Sequence, residues 1–499
     1  VNHATNTGQF EAAMLSLPSI SLVTDQPNLW DPAKGIYYNP SEKGSAWERP
    51  VSLEWIDPNG DATAGFTINA GARIHGQASR RPHRTPKKTF RIYFRGVEYG
   101  VTKLDYKLFA DNDAVSKFDR ILLRGGGNRS YPYFDFSQRR EADYINDEFA
   151  RRMFLQMGGL AAHGTYAHLY LNGQYWGLYN VTERMDDTFL IAYLGGVATD
   201  YDLIEPDEES NYQPVADPGT LDAWNELHDL IKGTITDAVY QQVLTRLDVV
   251  DLADYMILLH YIANTDWPAH NWYTYRKRSG PDTRFHMIPW DSDTSLNNVN
   301  ENMTLSNFPN TPAALFHKLI THPDFRQLMA DRLYRYLEQS TGVLTPTNCR
   351  QVYGVLADTV DLAIIGESAR WGAYAEKIYP QINFTAVNKA LPAYLYSRNI
   401  PAAESDPTNN TDLEDRKTWL QVRDAKLNTY CRDRTGIVIG QYVTNSWYQT
   451  TLKAPTFSQE GGAVAQNYAL TINNTVNNSN GTIYYTVDGV DPRKAGGTV

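Results

Sequence analysis

Apolar and polar positions along the chain change rhythm twice. Ile20–Thr24, Val51–Ile56, Phe66–Ile74 and Thr89–Phe94 are β-branched or aromatic runs with partial alternation, separated by Asp-Pro, Asn-Pro and Asn-Gly turns, and are predicted to be strands. Arg120–Arg124 adds another strand and runs into Gly125-Gly126-Gly127. A helical spacing then covers Gln138 to Met157 and stops at Gly158-Gly159, the usual residue type for a helix C-cap. Thr165–Leu171 and Trp176–Thr182 flank Asn172-Gly173, a dipeptide suited to the positive φ of a two-residue hairpin turn. A short helix is expected over Asp186–Leu194.

The second half is mainly helical. Residues 200–220, acidic and proline-rich, are expected to be a surface excursion, and helical spacing follows from Thr220 to Ile262. It returns over Ala314–Ile320, Pro323–Glu338, Thr345–Asp361 and Asp412–Thr435. Short strands rich in Thr, Asn and Gly are expected from Ile437 onward. The expected class is α+β, in four parts: a lead-in (residues 1–17), a β-rich lobe (18–200), a helix-rich lobe (201–436) and a β-rich C-terminal module (437–499).

Between the helical blocks lies the stretch with the most chemistry. After Ile262 comes a polar loop, Asn264-Thr265-Asp266-Trp267-Pro268-Ala269-His270-Asn271. Two apolar runs, Trp272–Arg276 and Arg284–Ile288, are joined at Ser279-Gly280-Pro281, and the second leads into Pro289-Trp290-Asp291-Ser292-Asp293. A hairpin brings its own ends together, so Asp266, Asn271, Asp291 and Asp293 could converge. Oxygen donors at that density suit a hard cation such as Mg²⁺. Protein kinases space a catalytic-loop Asp, a metal-binding Asn five positions on, and a second metal-binding Asp beyond a hairpin in the same order. Asp266, Asn271 and Asp291 match that spacing, but the flanking His-Arg and Phe-Gly are replaced by Asn264-Thr265 and Ser292-Asp293. Polar turns closing an ordinary hairpin would account for the same residues.

Composition narrows the field. A net charge of −11 argues against a nucleic-acid partner bound through a broad basic surface. No apolar run is long enough to span a membrane. Cys349 and Cys431 could pair or remain buried thiols, and they lack metal-ligand spacing. A monomer is expected, and the Tyr- and Asn-rich composition suggests an extracellular or cell-surface bacterial protein.

Several motifs in order carry a resemblance. They are Ala70-Gly71-Ala72-Arg73-Ile74-His75-Gly76-Gln77-Ala78-Ser79-Arg80, Lys87-Lys88-Thr89-Phe90-Arg91-Ile92-Tyr93-Phe94 and Leu122-Leu123-Arg124-Gly125-Gly126-Gly127-Asn128. The Tyr170–Asn180 hairpin with Thr182-Glu183-Arg184, the Asn264–Asn271 loop and Ile288–Asp293 complete the set. From about Leu17 to Arg434 the chain resembles the CotH kinase family, named for a spore-coat protein, and in particular its larger secreted relatives. The resemblance implies an atypical two-lobed kinase-like fold that uses ATP and Mg²⁺ to phosphorylate protein Ser or Thr hydroxyls. It makes Asp266 the catalytic carboxylate, Asp291, Asp293 and Asn271 the metal-holding groups, and Lys88 or Lys87 the cation facing the nucleotide phosphates. Glu148 or Glu141 is the expected partner of that lysine, and Glu183 falls where a kinase hinge would lie. No Gly-x-Gly-x-x-Gly loop is present, so the Gly76–Arg84 loop, with Ser79, Arg80 and Arg81, is expected to cover the phosphates. Residues 484–492 resemble part of a β-sandwich module of secreted chitobiase-like proteins, which could contact polysaccharide. Two other functions fit the same residues: a kinase-like surface adhesin or scaffold without catalysis, and a carbohydrate hydrolase using an Asp pair.

Overall fold

In the computed structural model the alternating first half curls into a closed barrel. Residues 3–61, 64–139, 141–372, 419–451, 455–459, 463–474, 482–487 and 492 are described. Strands β1 (Ser19–Val23), β2 (Arg49–Ile56), β3 (Phe66–His75), β4 (Thr89–Tyr93), β5 (Leu104–Asp105), β6 (Lys117–Phe118), β7 (Arg120–Arg124), β8 (Gly164–Leu171) and β9 (Gln174–Glu183) succeed one another. Seven of them close in the order β1-β2-β3-β4-β7-β9-β8, and a parallel β1–β8 pairing seals the ring, while β5 and β6 pair separately. Closure leaves no open sheet edge. Along β2, Val51, Leu53 and Trp55 are buried while Pro50, Glu54 and Ile56 are exposed, the alternation expected of a strand with one face on a core. Asn172 (φ 48°) and Gly173 (φ 77°) make the two-residue turn between β8 and β9.

The expected helix over Gln138–Met157 is shorter. A single turn, Phe136–Arg139, is separated from the main helix Asn146–Gln156, because Tyr144 takes a left-handed φ of 63° between them. That break points the N-terminus of the 146–156 helix at the acidic loop after the second hairpin. Residues 200–220 are not a surface excursion. They form β10 (Tyr201–Asp207) and β11 (Gln213–Ala216), which join β12 (Trp272–Lys277) and β13 (His286–Pro289) in a four-stranded antiparallel sheet ordered β11-β10-β12-β13. Tyr201, Leu203 and Ile204 are buried, and that burial offsets the local acidity and prolines.

Helix Val249–Ile262 is the spine of the second half. Asp248 caps it through the amides of Val250 and Asp251, and Leu252 to Ile262 are buried without a break. Helices Pro312–Leu319, Pro323–Leu333 and Cys431–Thr444 pack on it. Helix Pro346–Val360 is joined to Cys431–Thr444 by a disulfide, Cys349–Cys431. This last helix continues through Gly436 to Thr444, so residues 437–444 are helical where strand was expected. Past it, Thr456–Phe457 and Ile472–Asn473 pair antiparallel. The Asp412–Thr435 helix is described only from Trp419 onward, and much of the 484–492 stretch lies outside the described residues. Among the described residues no helix is long and apolar enough to cross a membrane.

Candidate functional site

Helix Val249–Ile262 ends at Ala263, whose φ of 51° turns the chain into the acidic loop. Asn264 Oδ1 accepts from the Asp266 amide (3.1 Å) and from Thr294 Oγ1 (2.7 Å), tying this loop to the one after β13. Trp267 is anchored inward by its indole N–H on the Tyr255 hydroxyl (3.1 Å). Asp266 therefore sits on a braced loop. Its Oδ1 meets His270 Nδ1 at 2.9 Å and its Oδ2 accepts from Asn271 Nδ2 at 3.3 Å. Burial alone would raise its pKa, but the His270 hydrogen bond and charge, with the Asn271 amide, hold it below the usual carboxylate value. Asp266 is thus held as an anion. The Asn271 bond commits its nitrogen and leaves its carbonyl oxygen as the atom a cation would take.

Asn271 (φ 64°) and Asp291 (φ 54°) are both left-handed, a conformation that Asn and Asp tolerate better than other side chains. The 146–156 helix braces the loop beyond Asp291. Asp147 Oδ1 accepts from the Ser292 amide (2.8 Å), and Asn146 Nδ2 donates to the carbonyls of Asp293 (3.2 Å) and Ser295 (2.8 Å). Burial, with the charges of Asp147 and Asp266, raises Asp291 despite its contact with Arg124. Asp293 is pushed well above the ordinary value by burial and by Asp291 and Asp147, again against Arg124. Acids whose protons are this hard to lose are ones that an added cation would help to ionise.

Asp266, Asn271, Asp291 and Asp293 line one cleft of about 870 Å³ between barrel and hairpin sheet. Ser79, Arg80, Arg91, Arg124 and Arg184 face into it from the barrel side, and Trp272, Tyr273 and Trp290 supply aromatic surface. Hard oxygen donors on one side and guanidinium groups on the other fit a divalent ion carrying a polyphosphate. The Gly76–Arg84 loop lies over this cleft, with Arg81 bridging it to Glu208 in the β10–β11 turn. Arg80 is spent largely on backbone carbonyls, donating to Gly76 of its own loop (2.5 Å) and to Glu42 of an earlier one (2.7 Å).

The two lysines are elsewhere. Lys88 Nζ donates to the carbonyls of Thr85 (2.7 Å), Ser79 and Arg80 (both 3.0 Å) and Arg81 (3.3 Å), so it knots the loop from beneath. Burial, with a smaller push from Arg80, lowers its pKa to about 7. Lys87 Nζ pairs with Glu367 Oε1 (2.7 Å), both side chains being fully buried, and also donates to the Leu178 carbonyl (2.5 Å). Glu367 comes from helix Ala363–Trp371, which docks on β9. Neither expected carboxylate partner meets these lysines: Glu148 binds Arg151 (2.7 Å) and Arg152 (2.8 Å), and Glu141 binds Arg129 (3.3 Å). Glu183 accepts from the His163 amide (2.8 Å) and the Tyr193 hydroxyl (2.8 Å) and braces the end of β9.

Three participants escape a reading of the sequence alone: Arg124, Asp147 and His270. Arg124 was visible only as a cation ending an apolar strand, and Asp147 stands beside Glu148 in the same first helical turn. His270, four residues from Asp266, carries no metal-ligand spacing, and its role rests on the loop's curl.

No curated protein matches the chain. The sequence model of the family described as CotH kinase protein matches residues 72–434, which takes in β4, β7, the 146–156 helix, both hairpins and the two acidic loops. With the match covering most of its length, the chain belongs to the CotH kinase family.

Proposed function

We propose that this chain is a Mg²⁺-dependent atypical kinase that moves the γ-phosphoryl group of ATP to Ser or Thr hydroxyls of a protein, at a bacterial surface or outside the cell. The observation that carries the reading is the shared cleft: a hydrogen-bonded, anionic Asp266 beside Asp291, Asp293 and Asn271, opposite Arg80, Arg91 and Arg184. Mg²⁺, when bound with ATP, supplies charge neutralisation on the phosphates. Asp266 orients the acceptor hydroxyl and takes its proton as the new oxygen–phosphorus bond forms and the bond to ADP breaks. His270 fixes the carboxylate's rotation and keeps it ionised. Asp291, with Asn271, would hold the ion. Arg91 and Arg184, each with a buried Nε lacking a hydrogen-bond partner, line the cleft and would meet the phosphates. The Cys349–Cys431 disulfide supports an oxidising location.

A second reading, a kinase-like surface scaffold without catalysis, draws on one observation: Lys87 and Lys88 are both committed to internal partners. One pair of measurements separates the two. With ATP and Mg²⁺ in calorimetry and a phosphotransfer assay, Asp291→Ala should weaken Mg²⁺-dependent binding at least tenfold. Asp266→Asn should bind ATP nearly as the parent does and lose about 10²–10⁴ in turnover. A parent chain that binds ATP without transfer to any protein hydroxyl favours the scaffold. Variants that match an active parent in both assays defeat the site assignment.

A further inference from the structure

Lys87 and Lys88 stay clear of the acidic loops, yet a buried cation reaches them. Arg124, the last residue of β7, sends one guanidinium nitrogen to Asp147 Oδ2 (2.5 Å). Its other terminal nitrogen meets Asp291 Oδ1 (2.5 Å) and Asp293 Oδ2 (3.4 Å). The Trp290 ring covers the guanidinium at 5.0 Å, and the Arg124 side chain is 11% exposed. Asp147 is shared with Arg151 Nε at 3.0 Å. Asp147, Asp291 and Asp293 thus meet the guanidinium groups of Arg124 and Arg151 in one ion-pair network. Asp291 nevertheless remains 45% exposed at the cleft, with its second oxygen outside this network.

Ordinary protein kinases place two Mg²⁺ ions at the corresponding Asp and Asn, and pair a strand lysine with a helix glutamate. Here one guanidinium joins a strand to the first turn of a helix through Asp147 and also lies against Asp291 and Asp293. Arginine suits that place because it cannot lose its proton at any ordinary pH and its planar fork addresses several carboxylates at once.

We propose that Arg124 is a tethered second cation: it positions Asp291 and Asp293 and replaces one of the two divalent ions, so that the nucleotide-loaded site holds only one. The count with nucleotide rests on the kinase reading above, whereas the exclusion of metal by Arg124 rests on the ion pairs alone. Removing the guanidinium leaves Asp291 and Asp293 without the cation they share, and a divalent ion would then take its place against them.

Mn²⁺ reports this directly, because the free ion has an electron paramagnetic resonance signal that is lost on binding. The parent, Arg124→Gln and Arg124→Lys are titrated with MnCl₂ alone and again with a saturating non-hydrolysable ATP analogue, their folding checked by circular dichroism. The expected result is one tightly bound Mn²⁺ per parent chain with the analogue. Arg124→Gln should bind MnCl₂ alone at least tenfold more tightly than the parent and take two ions with the analogue. Arg124→Lys, which restores the charge, should return to parental weakness towards MnCl₂ alone. Two ions per parent chain overturn the proposal whatever the variants do, including an Arg124→Gln that fails to fold. A folded Arg124→Gln with unchanged affinity for MnCl₂ alone overturns it too. A parent that ignores the ATP analogue defeats the kinase reading, and the MnCl₂ comparison then still decides whether Arg124 excludes the ion.

Discussion

At the scale of single residues, the surroundings of each acid in the cleft set which of them stay charged. Asp266 is held ionised by His270 and Asn271, whereas Asp293, two positions beyond Asp291, is biased toward its proton by burial and by its neighbours. Another acid, outside the cleft, has a measurable consequence. Burial raises Asp251 to about 8, against a hydrogen bond from the Met287 amide, with Asp248 and Asp254 adding to the rise. The folded chain therefore keeps a proton that the unfolded chain releases near pH 4. Between those values the folded state binds more protons, so stability falls as pH rises toward 8. Asp251→Asn removes this dependence: urea unfolding should find the variant equal to the parent near pH 4 and more stable by about 5 kcal/mol at pH 8 or above. Equal losses in both chains across that window would show that Asp251 does not titrate there.

At the scale of elements, the two lobes are sewn together by long-range ion pairs as well as by packing. Helix Ala363–Trp371, from the second half, closes over β9 and lends Glu367 to Lys87 across 280 positions of sequence. Glu367 Oε2 also accepts from the Leu178 amide (2.7 Å), so one carboxylate satisfies a strand amide and an ammonium together. Glu367→Leu strands both and should cost about 3–5 kcal/mol in chemical denaturation. The double variant with Lys87→Met should recover most of that loss, because no unpaired charge remains. A double variant as unstable as the single one would mean that Glu367 acts mainly through the Leu178 amide. The same logic explains why helix boundaries were harder to read than their existence. Tyr144 splits Gln138–Met157 because its ring packs on Tyr131 and its hydroxyl accepts the Tyr131 amide (2.8 Å). Residues 201–216 became strands because β12 offered an edge, an influence absent from their own local pattern.

At the scale of the whole molecule, a closed barrel and a helical body meet along one cleft, and the body carries its own covalent tie. The Cys349–Cys431 bridge spans 82 positions and joins helices 346–360 and 431–444. Loop-closure entropy for a bridge of that reach is worth about 4 kcal/mol. Reduction, or a double Cys→Ser change, should lower the melting temperature by several degrees while leaving metal and nucleotide affinity near parental values, since neither sulfur lies on the cleft. A large loss of nucleotide affinity at temperatures where the reduced chain stays folded would instead tie the helical body to the site.

Much of the architecture was legible before any coordinates. The runs near β2, β3, β4, β7, β8 and β9, the Asn172-Gly173 turn and the Val249–Ile262 helix follow from local alternation, turn chemistry and apolar spacing. Asp266, Asn271, Asp291 and Asp293 could be grouped because a hairpin returns the chain to its starting point over a short contour. Which cation faces them could not be read this way. Lys88 precedes one apolar strand and Arg124 ends another, and only the closure of the barrel turned Lys88 under its loop and Arg124 onto Asp147 and Asp291. Short-range order is written in neighbouring residues, so the chain itself specified strands, turns and the acidic hairpin. Charge pairing between segments up to hundreds of positions apart depends on where folding brings them, and that the tertiary structure alone decided.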